Sequence, residues 1–267
     1  MAVSPQHFTE INGLRVQFRV RGSGEPLLLL HGWGGSSLSF MPVAARLEEQ
    51  FRVLAPDLPG FGFSQNPPHA FGAADYAGVV AGLLVASGFG SVNVVGHSFG
   101  GLVATALATS RPDLVKRLVL VASPVVRLPR EGGVRARSVA YRGVRTLGRL
   151  LPPFRERINE WGIQRFGSSD YRSAGPMRPT MSKILGEDWR TALPDITAPA
   201  LLVYGGADED VPLAVADAAM RELPEGARLV VMPDAGHFLF LDDPNAFVEA
   251  LTGFLLPAEP AEAVADA

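Results

Sequence analysis

The chain of 267 residues contains no cysteine. Disulfides, thiolate nucleophiles and cysteine-based metal centres are therefore excluded from the start. Lysine is nearly absent too: Lys116 and Lys183 are the two among 24 basic residues, and the rest are arginine. No apolar run approaches the roughly 20 residues that a membrane-spanning helix needs, so no transmembrane segment is expected. Met1 to Glu10 lacks a basic start followed by an apolar stretch, which is not the pattern of a secretory signal, and a cytoplasmic location follows as the expectation. Aromatic–basic interleaving of the kind that grips nucleic acid is also missing, so no nucleic-acid partner is expected.

What is present suits an ordinary globular enzyme. Hydrophobic residues make up 47% of the chain, and a chain of this length buries about 70–75% of its unfolded surface without help from metals or crosslinks. Net charge is −3 and says little by itself. Its distribution says more. Pro124 to Arg190 carries fourteen basic against six acidic residues, a local balance of +8, and the remainder carries −11.

Strand and helix signals alternate through most of the sequence. Leu14–Val20 alternates apolar and polar residues, as a half-exposed strand does. Leu27–Leu30, Phe51–Ala55, Val92–Val95, Leu118–Val121, Ala200–Tyr204 and Leu229–Met232 are short apolar runs suited to buried parallel strands. Helical stretches fall between them at Leu38–Glu49, Asp75–Ser87, Gly100–Ser110, Leu213–Glu222 and Asn245–Phe254. Such alternation predicts an α/β fold, a mostly parallel sheet with helices on both faces. The rhythm breaks over 124–199, where arginine, proline and glycine accumulate without a strand signal; this reads as a mostly helical insertion. Residues 1–123 and 200–256 then form the sheet domain. The Ala/Glu/Pro-rich tail, 257–267, is expected to be disordered.

The chemistry concentrates at strand ends. Gly96-His97-Ser98-Phe99-Gly100-Gly101 lies between a strand signal and a helix signal, the setting of a nucleophile elbow. A sharp turn there would strain Ser98 and lift its hydroxyl clear of the sheet, and side chains at positions 96 and 100 would collide. A serine hydroxyl needs a base within reach. Of His7, His31, His69, His97 and His237, the last follows the final strand and so falls at the same sheet edge as Ser98. His97, adjacent to Ser98, should point away from it. His31 suits a structural role, and His7 and His69 suit the surface. The base needs an acid to fix its tautomer. Asp208, in Gly205-Gly206-Ala207-Asp208-Glu209-Asp210-Val211-Pro212, follows a strand and is preferred; Asp210 and Asp234 compete, with Glu209 behind them. Oxyanion donors are expected from the amides of Phe99 and Trp33, the latter in His31-Gly32-Trp33-Gly34-Gly35. The side chains of Trp33 and Phe99 are expected to bind the substrate.

These segments together, with Asp57-Leu58-Pro59-Gly60-Phe61-Gly62-Phe63-Ser64 and Gly236-His237, resemble the α/β-hydrolase superfamily. More narrowly they resemble its serine carboxylesterases and the related carbon–carbon bond hydrolases and cofactor-free perhydrolases. The resemblance spans about Leu14 to Phe254 apart from the insertion. It implies an eight-stranded sheet, a helical cap after strand six at 124–199, and the chain order serine, acid, histidine, which this sequence keeps. It implies a structural turn at Asp57 and Ser64. Ser123 ends a strand where some relatives carry their acid, a role serine cannot fill. Haloalkane dehalogenases and epoxide hydrolases of this fold use an aspartate nucleophile, and Ser98 sets them aside. The expected activity is hydrolysis of a small-molecule carboxylic ester through an acyl-enzyme, by a monomer or homodimer, with no cofactor and no metal. Cleavage of a carbon–carbon bond, peracid formation, or ligand reception by a protein that keeps the triad are the alternatives.

Overall fold

The computed structural model describes residues 5–129 and 169–256, together with Thr146, Arg157, Glu160, Trp161 and Arg165. Eight strands form one sheet in the order β1-β2-β4-β3-β5-β6-β7-β8. They are β1 (Gln6–Ile11), β2 (Leu14–Arg21), β3 (Glu25–Leu30), β4 (Phe51–Pro56), β5 (Val92–His97), β6 (Val115–Val121), β7 (Ala200–Gly205) and β8 (Arg228–Met232). The strand β2 runs antiparallel to both neighbours, and all pairings from β4 across to β8 are parallel. The α/β-hydrolase fold expected from the sequence is thus the fold observed.

All seven expected strands form. The eighth, β1, which the resemblance implied, had not been placed in the sequence. It is an edge strand with mostly exposed side chains, so it lacks the apolar run that marks the others. Its turn, Asn12-Gly13, puts both residues at positive φ (51° and 77°), the geometry that Asn-Gly favours in a two-residue hairpin. The helix expected over Leu38–Glu49 forms in two pieces, a 3₁₀ turn at Ser37–Phe40 and α1 (Met41–Leu47). Pro42 sits in the first turn of α1, where its missing N–H costs no hydrogen bond.

Helices cover both faces. On one side, α2 (Ala73–Ala86) and α3 (Phe99–Ser110) pack against each other and the sheet, joined by the helix Leu213–Met220. On the other lie α1 and the C-terminal helix Pro244–Leu255. The C-terminal helix shows the local logic. Asp243 caps it by accepting the amides of Asn245 and Ala246, and Phe247, Leu251 and Leu255 recur every four residues on the buried side. In α3 nearly every residue from Phe99 to Ala108 is buried. Its glycines and alanines let it lie close to the sheet, directly behind β5.

Residues 130–168 of the insertion, apart from the five named above, and the tail 257–267 lie outside the described residues. Between 169 and 199 the chain is helical and 3₁₀, without a strand. Helix Arg178–Ile184 and the turn after it fasten to the start of α2. Thr180 Oγ1 accepts the Phe71 amide (3.2 Å), Lys183 pairs with Asp75 (2.9 Å), and Glu187 accepts the Ala73 amide (3.1 Å). Arg178 pairs with Glu160, and Arg127 donates to the Gly186 carbonyl. Several of this segment's cations are therefore engaged by acids or carbonyls.

Candidate active site

The sheet reverses its winding between β3 and β5, because β4 lies on one side of β3 and β5 on the other. The loops that follow β3 and β5 leave the sheet at this switch point, which is where open α/β sheets place a ligand crevice. Leu30 is in register with Gly96, so the His31–Gly35 loop and the Ser98 turn leave the sheet side by side.

Ser98 occupies a left-handed backbone conformation, φ 50° and ψ −117°. For a residue with a Cβ this costs about 1–3 kcal/mol and persists only where the surroundings enforce it. Here the enforcement is visible. The Ser98 amide donates to the Val121 carbonyl (2.8 Å), its carbonyl accepts from Gly101 N (2.9 Å), and Ser123 Oγ donates to the same carbonyl (2.9 Å). A Cβ on Gly96 would stand 2.4 Å from the Gly100 carbonyl oxygen, and one on Gly100 would stand 2.2 Å from that of Leu30. Both glycines are thus required by contact, as the motif predicted. Ser123, set aside as an acid, proves to brace the turn. The carbonyl of Ser123 in turn accepts the buried Tyr204 hydroxyl.

Phe99 follows this serine, and Gly32, just before Trp33, lies against it: a Cβ on Gly32 would stand 3.3 Å from Ser98 Cβ. Neither Trp33 N–H nor Phe99 N–H meets a protein acceptor among the described residues. Phe99 is the first residue of α3, where amides have no partner within the helix and the helix dipole adds positive potential. The side chains differ. The Phe99 ring is buried against Trp33, Phe61 and Tyr76 (centroids 5.5, 5.9 and 5.0 Å), whereas Trp33 is half-buried. Phe99 offers the crevice its amide more than its ring.

His31 braces the Trp33 loop from beneath. Its Nε2 accepts the Leu58 amide (3.0 Å), and its Nδ1 donates to the Gly32 carbonyl (2.7 Å). That pattern fixes a neutral ring, and burial lowers its pKa. Asp57 completes the brace, with its two carboxylate oxygens accepting the amides of Ser37 (2.7 Å) and Phe63 (2.8 Å). Ser64 donates to the Asp57 carbonyl (2.6 Å) and accepts the Gln17 amide (2.8 Å). These are the structural roles that the sequence suggested for His31, Asp57 and Ser64.

The loops after β7 and β8 meet at the same edge. His237 Nδ1 lies 2.8 Å from Asp208 Oδ2. The other oxygen, Oδ1, accepts the amides of Asp210 (2.8 Å) and Val211 (2.9 Å). The Asp208 side chain is wholly buried. Burial alone would push its carboxyl up, but the bonds from His237 and from the two amides outweigh it and hold the pKa below its ordinary value. Asp208 is therefore an ionised acceptor aimed at the ring. Glu209, Asp210 and Asp234 are exposed, and none is the partner of the histidine. Asp208, Asp210 and His237 bring three atoms of metal-ligand type within 4.8 Å of one another. Both Asp208 oxygens are already committed to hydrogen bonds, so a cation there would have to break the His237 pair. Ser98 Oγ makes no hydrogen bond to His237 among the described residues; in unliganded enzymes such bonds are often long and tighten on substrate.

His97 does point away from Ser98, as its position next to the serine requires. Its destination was not foreseen: Nε2 lies 2.9 Å from the His237 carbonyl oxygen. The two residues are 140 apart in sequence, and only the assembled sheet brings them together.

Residues 27–250 match the alpha/beta hydrolase family. An uncharacterized protein of Mycobacterium tuberculosis is 30% identical over 289 residues, covering 96% of this chain and 82% of its own. A pimeloyl-[acyl-carrier protein] methyl ester esterase of Aliivibrio salmonicida is 30% identical over 267 residues, 91% of this chain and 96% of its own. Among solved structures, a thermophilic esterase from Thermogutta terrifontis superposes with a TM-score of 0.70 at 26% identity, covering 95% of this chain and 98% of the esterase. No described helix is long and apolar enough to cross a membrane.

Proposed function

The chain belongs to the alpha/beta hydrolase family, and we propose that within it this protein is a serine hydrolase of carboxylic esters. The observation that carries the reading is the strained Ser98, at the carboxyl edge of β5 where the neighbouring Phe99 amide has no protein acceptor among the described residues. Ser98 Oγ attacks the ester carbonyl while His237 Nε2 takes its proton. Asp208, bonded to Nδ1, holds the tautomer that leaves Nε2 free to accept and offsets the charge the ring acquires. The amides of Trp33 and Phe99 receive the oxyanion, where fixed donors stabilise developing charge without reorganising. His237 then protonates the departing alcohol, and water, activated by the same ring, releases the acid from Ser98. One relative that aligns along most of its length supports ester chemistry by its name, a methyl ester esterase.

The test is a panel of chromogenic esters graded by acyl length, run on the parent and on Ser98→Ala. The parent should turn over at least one short ester, and Ser98→Ala should lose roughly 10⁴-fold or more in kcat, as removal of a triad serine does. Full activity in Ser98→Ala would end the reading.

A further inference from the structure

His97 is a buried titratable residue for which the proposed chemistry has no use. The strand β5 sends it to the opposite face from its glycine neighbour Gly96, and the turn sends Ser98 upward, so its ring lies beneath the base loop. Its hydrogen bond has a defined direction. The His237 carbonyl can only accept, so His97 Nε2 carries the proton (2.9 Å). The two rings also pack, with centroids 4.8 Å apart, and Phe238 and Phe240 flank His97 at 5.3 and 5.1 Å. The opposite edge of the same ring faces the other loop of the site. A Cβ built on Gly32 would stand 2.7 Å from His97 Nδ1 and 3.3 Å from Ser98 Cβ, so the ring and the nucleophile together seat the backbone just before Trp33. Burial, then the neighbouring His237, push the pKa of His97 down to about 3, against weaker opposing effects of the hydrogen bond to His237 and of Asp208; His31 adds a small lowering. The ring therefore stays a neutral donor through the physiological range.

We infer that His97 is a positioning residue: its Nε2–H holds the His237 backbone while its far edge seats Gly32, so that one neutral imidazole sets the spacing between the base and the oxyanion amides. The inference rests on the reading of Ser98 as nucleophile and His237 as base. The rest of the loop is tied at its flanks, where the Gly236 amide donates to Asp242 and the Phe238 carbonyl accepts the amides of Leu241 and Asp242. His237 itself is held by Asp208 at its ring and by His97 at its carbonyl. Losing the second tie leaves a partly buried carbonyl without its donor and frees the ring to drift. Misplacing a catalytic group by about 1 Å can cost on the order of 10²-fold in rate.

The experiment compares His97→Phe, which keeps an aromatic ring among Phe40, Phe238 and Phe240 but has no donor, with His97→Gln, whose side-chain N–H can reach the same carbonyl. Ser98→Ala is run alongside, and active sites are counted by titration with a fluorophosphonate. His97→Phe should lose roughly 10- to 100-fold in kcat per titrated site with KM little changed, and His97→Gln should recover most of that loss. A role in stability alone would lower the number of active sites and leave the rate per site intact. Nitrogen NMR of the parent adds a readout that needs no variant: His97 should be the neutral Nε2–H tautomer at pH 7. Parent-like kcat in His97→Phe, no recovery in His97→Gln, or an Nδ1–H tautomer in the parent would overturn the inference. With Ser98→Ala inactive, any of these leaves the hydrolase reading standing; an active Ser98→Ala brings down the reading itself.

Discussion

The turn after β5 and the loops after β7 and β8 reach the same sheet edge, yet they are held by different forces. Around Ser98 the fixing is steric and by uncharged hydrogen bonds: backbone lies on backbone at Gly96, Gly100 and Leu30, with no room for a methyl group, and Val121, Gly101 and Ser123 bond the Ser98 backbone. Around His237 it is polar: a carboxylate grips the ring, an imidazole grips the carbonyl, and two amides grip the carboxylate. Steric fixing is indifferent to pH and salt and fails only when atoms are added. Polar fixing tolerates changes of volume but depends on protonation. The nucleophile and the base of one proposed mechanism should therefore respond to different perturbations, and the difference can be pressed from either side.

The largest effect is expected on the polar side. Asp208→Asn keeps the shape but can turn a donor toward the ring, favouring the wrong tautomer; kcat should fall by about 10⁴-fold while the fold persists. Asp210→Asn alters an exposed group whose amide, not its side chain, serves Asp208, so it should keep most of its activity. Steady-state kinetics on the two variants checks this, and a crippled Asp210→Asn would move the acid by two residues.

On the steric side, Gly100→Ala asks a Cβ to stand 2.2 Å from the Leu30 carbonyl oxygen. Backbone cannot yield as a side-chain tip would. A loss of about 3 kcal/mol in stability is expected, at the upper end of ordinary overpacking, and activity should fall with it. Chemical denaturation measures the first, and Gly253→Ala, with open space around the added carbon, is the control.

The smallest expected effect concerns acid stability. His31 and His97 are both buried and both have pKa values below the ordinary one, His97 at about 3. For such groups the unfolded chain takes up a proton as pH falls through about 6.5 while the folded chain does not, so stability is complete above that pH and is lost below it. His97 should cost about 2 kcal/mol at pH 5 relative to pH 8, lowering Tm by roughly 4 °C, and His31 should act in the same direction. His97→Gln should remove its share of the slope in melting curves taken across this range. An unchanged slope would mean that the ring is not buried in its neutral form. The lowered pKa of Asp208 acts only near and below its unfolded value of about 4, outside that window.

Much of this was legible in the sequence because parallel strands buried on both faces leave unbroken apolar runs, and six strands were read from such runs, while the antiparallel β2 was read from its apolar–polar alternation. The edge strand β1 has polar side chains and left one mark, the Asn12-Gly13 turn, which the apolar criterion passes over. The short helix Leu239–Asp242 was missed because four residues hold too little periodicity to register. The residues proposed for the site could be singled out where chemistry demands a residue type at a strand end, as for Ser98, Asp208 and His237, and the structure pairs Asp208 with His237. What was not legible is what depends on two distant loops meeting. Ser123 was judged as an acid and dismissed, whereas its hydroxyl donates to the Ser98 carbonyl. His97 was judged by where it does not point. Neither local pattern contains the partner, which arrives from another strand.

The central claim, that Ser98 is the nucleophile, is tested most directly by intact-protein and peptide mass spectrometry after exposure to a fluorophosphonate at neutral pH. The account predicts one adduct per chain, on the peptide containing Ser98, with no adduct in Ser98→Ala and strongly slowed labelling in Asp208→Asn. Equal labelling of Ser98→Ala, or an adduct on another residue of the parent, would contradict it.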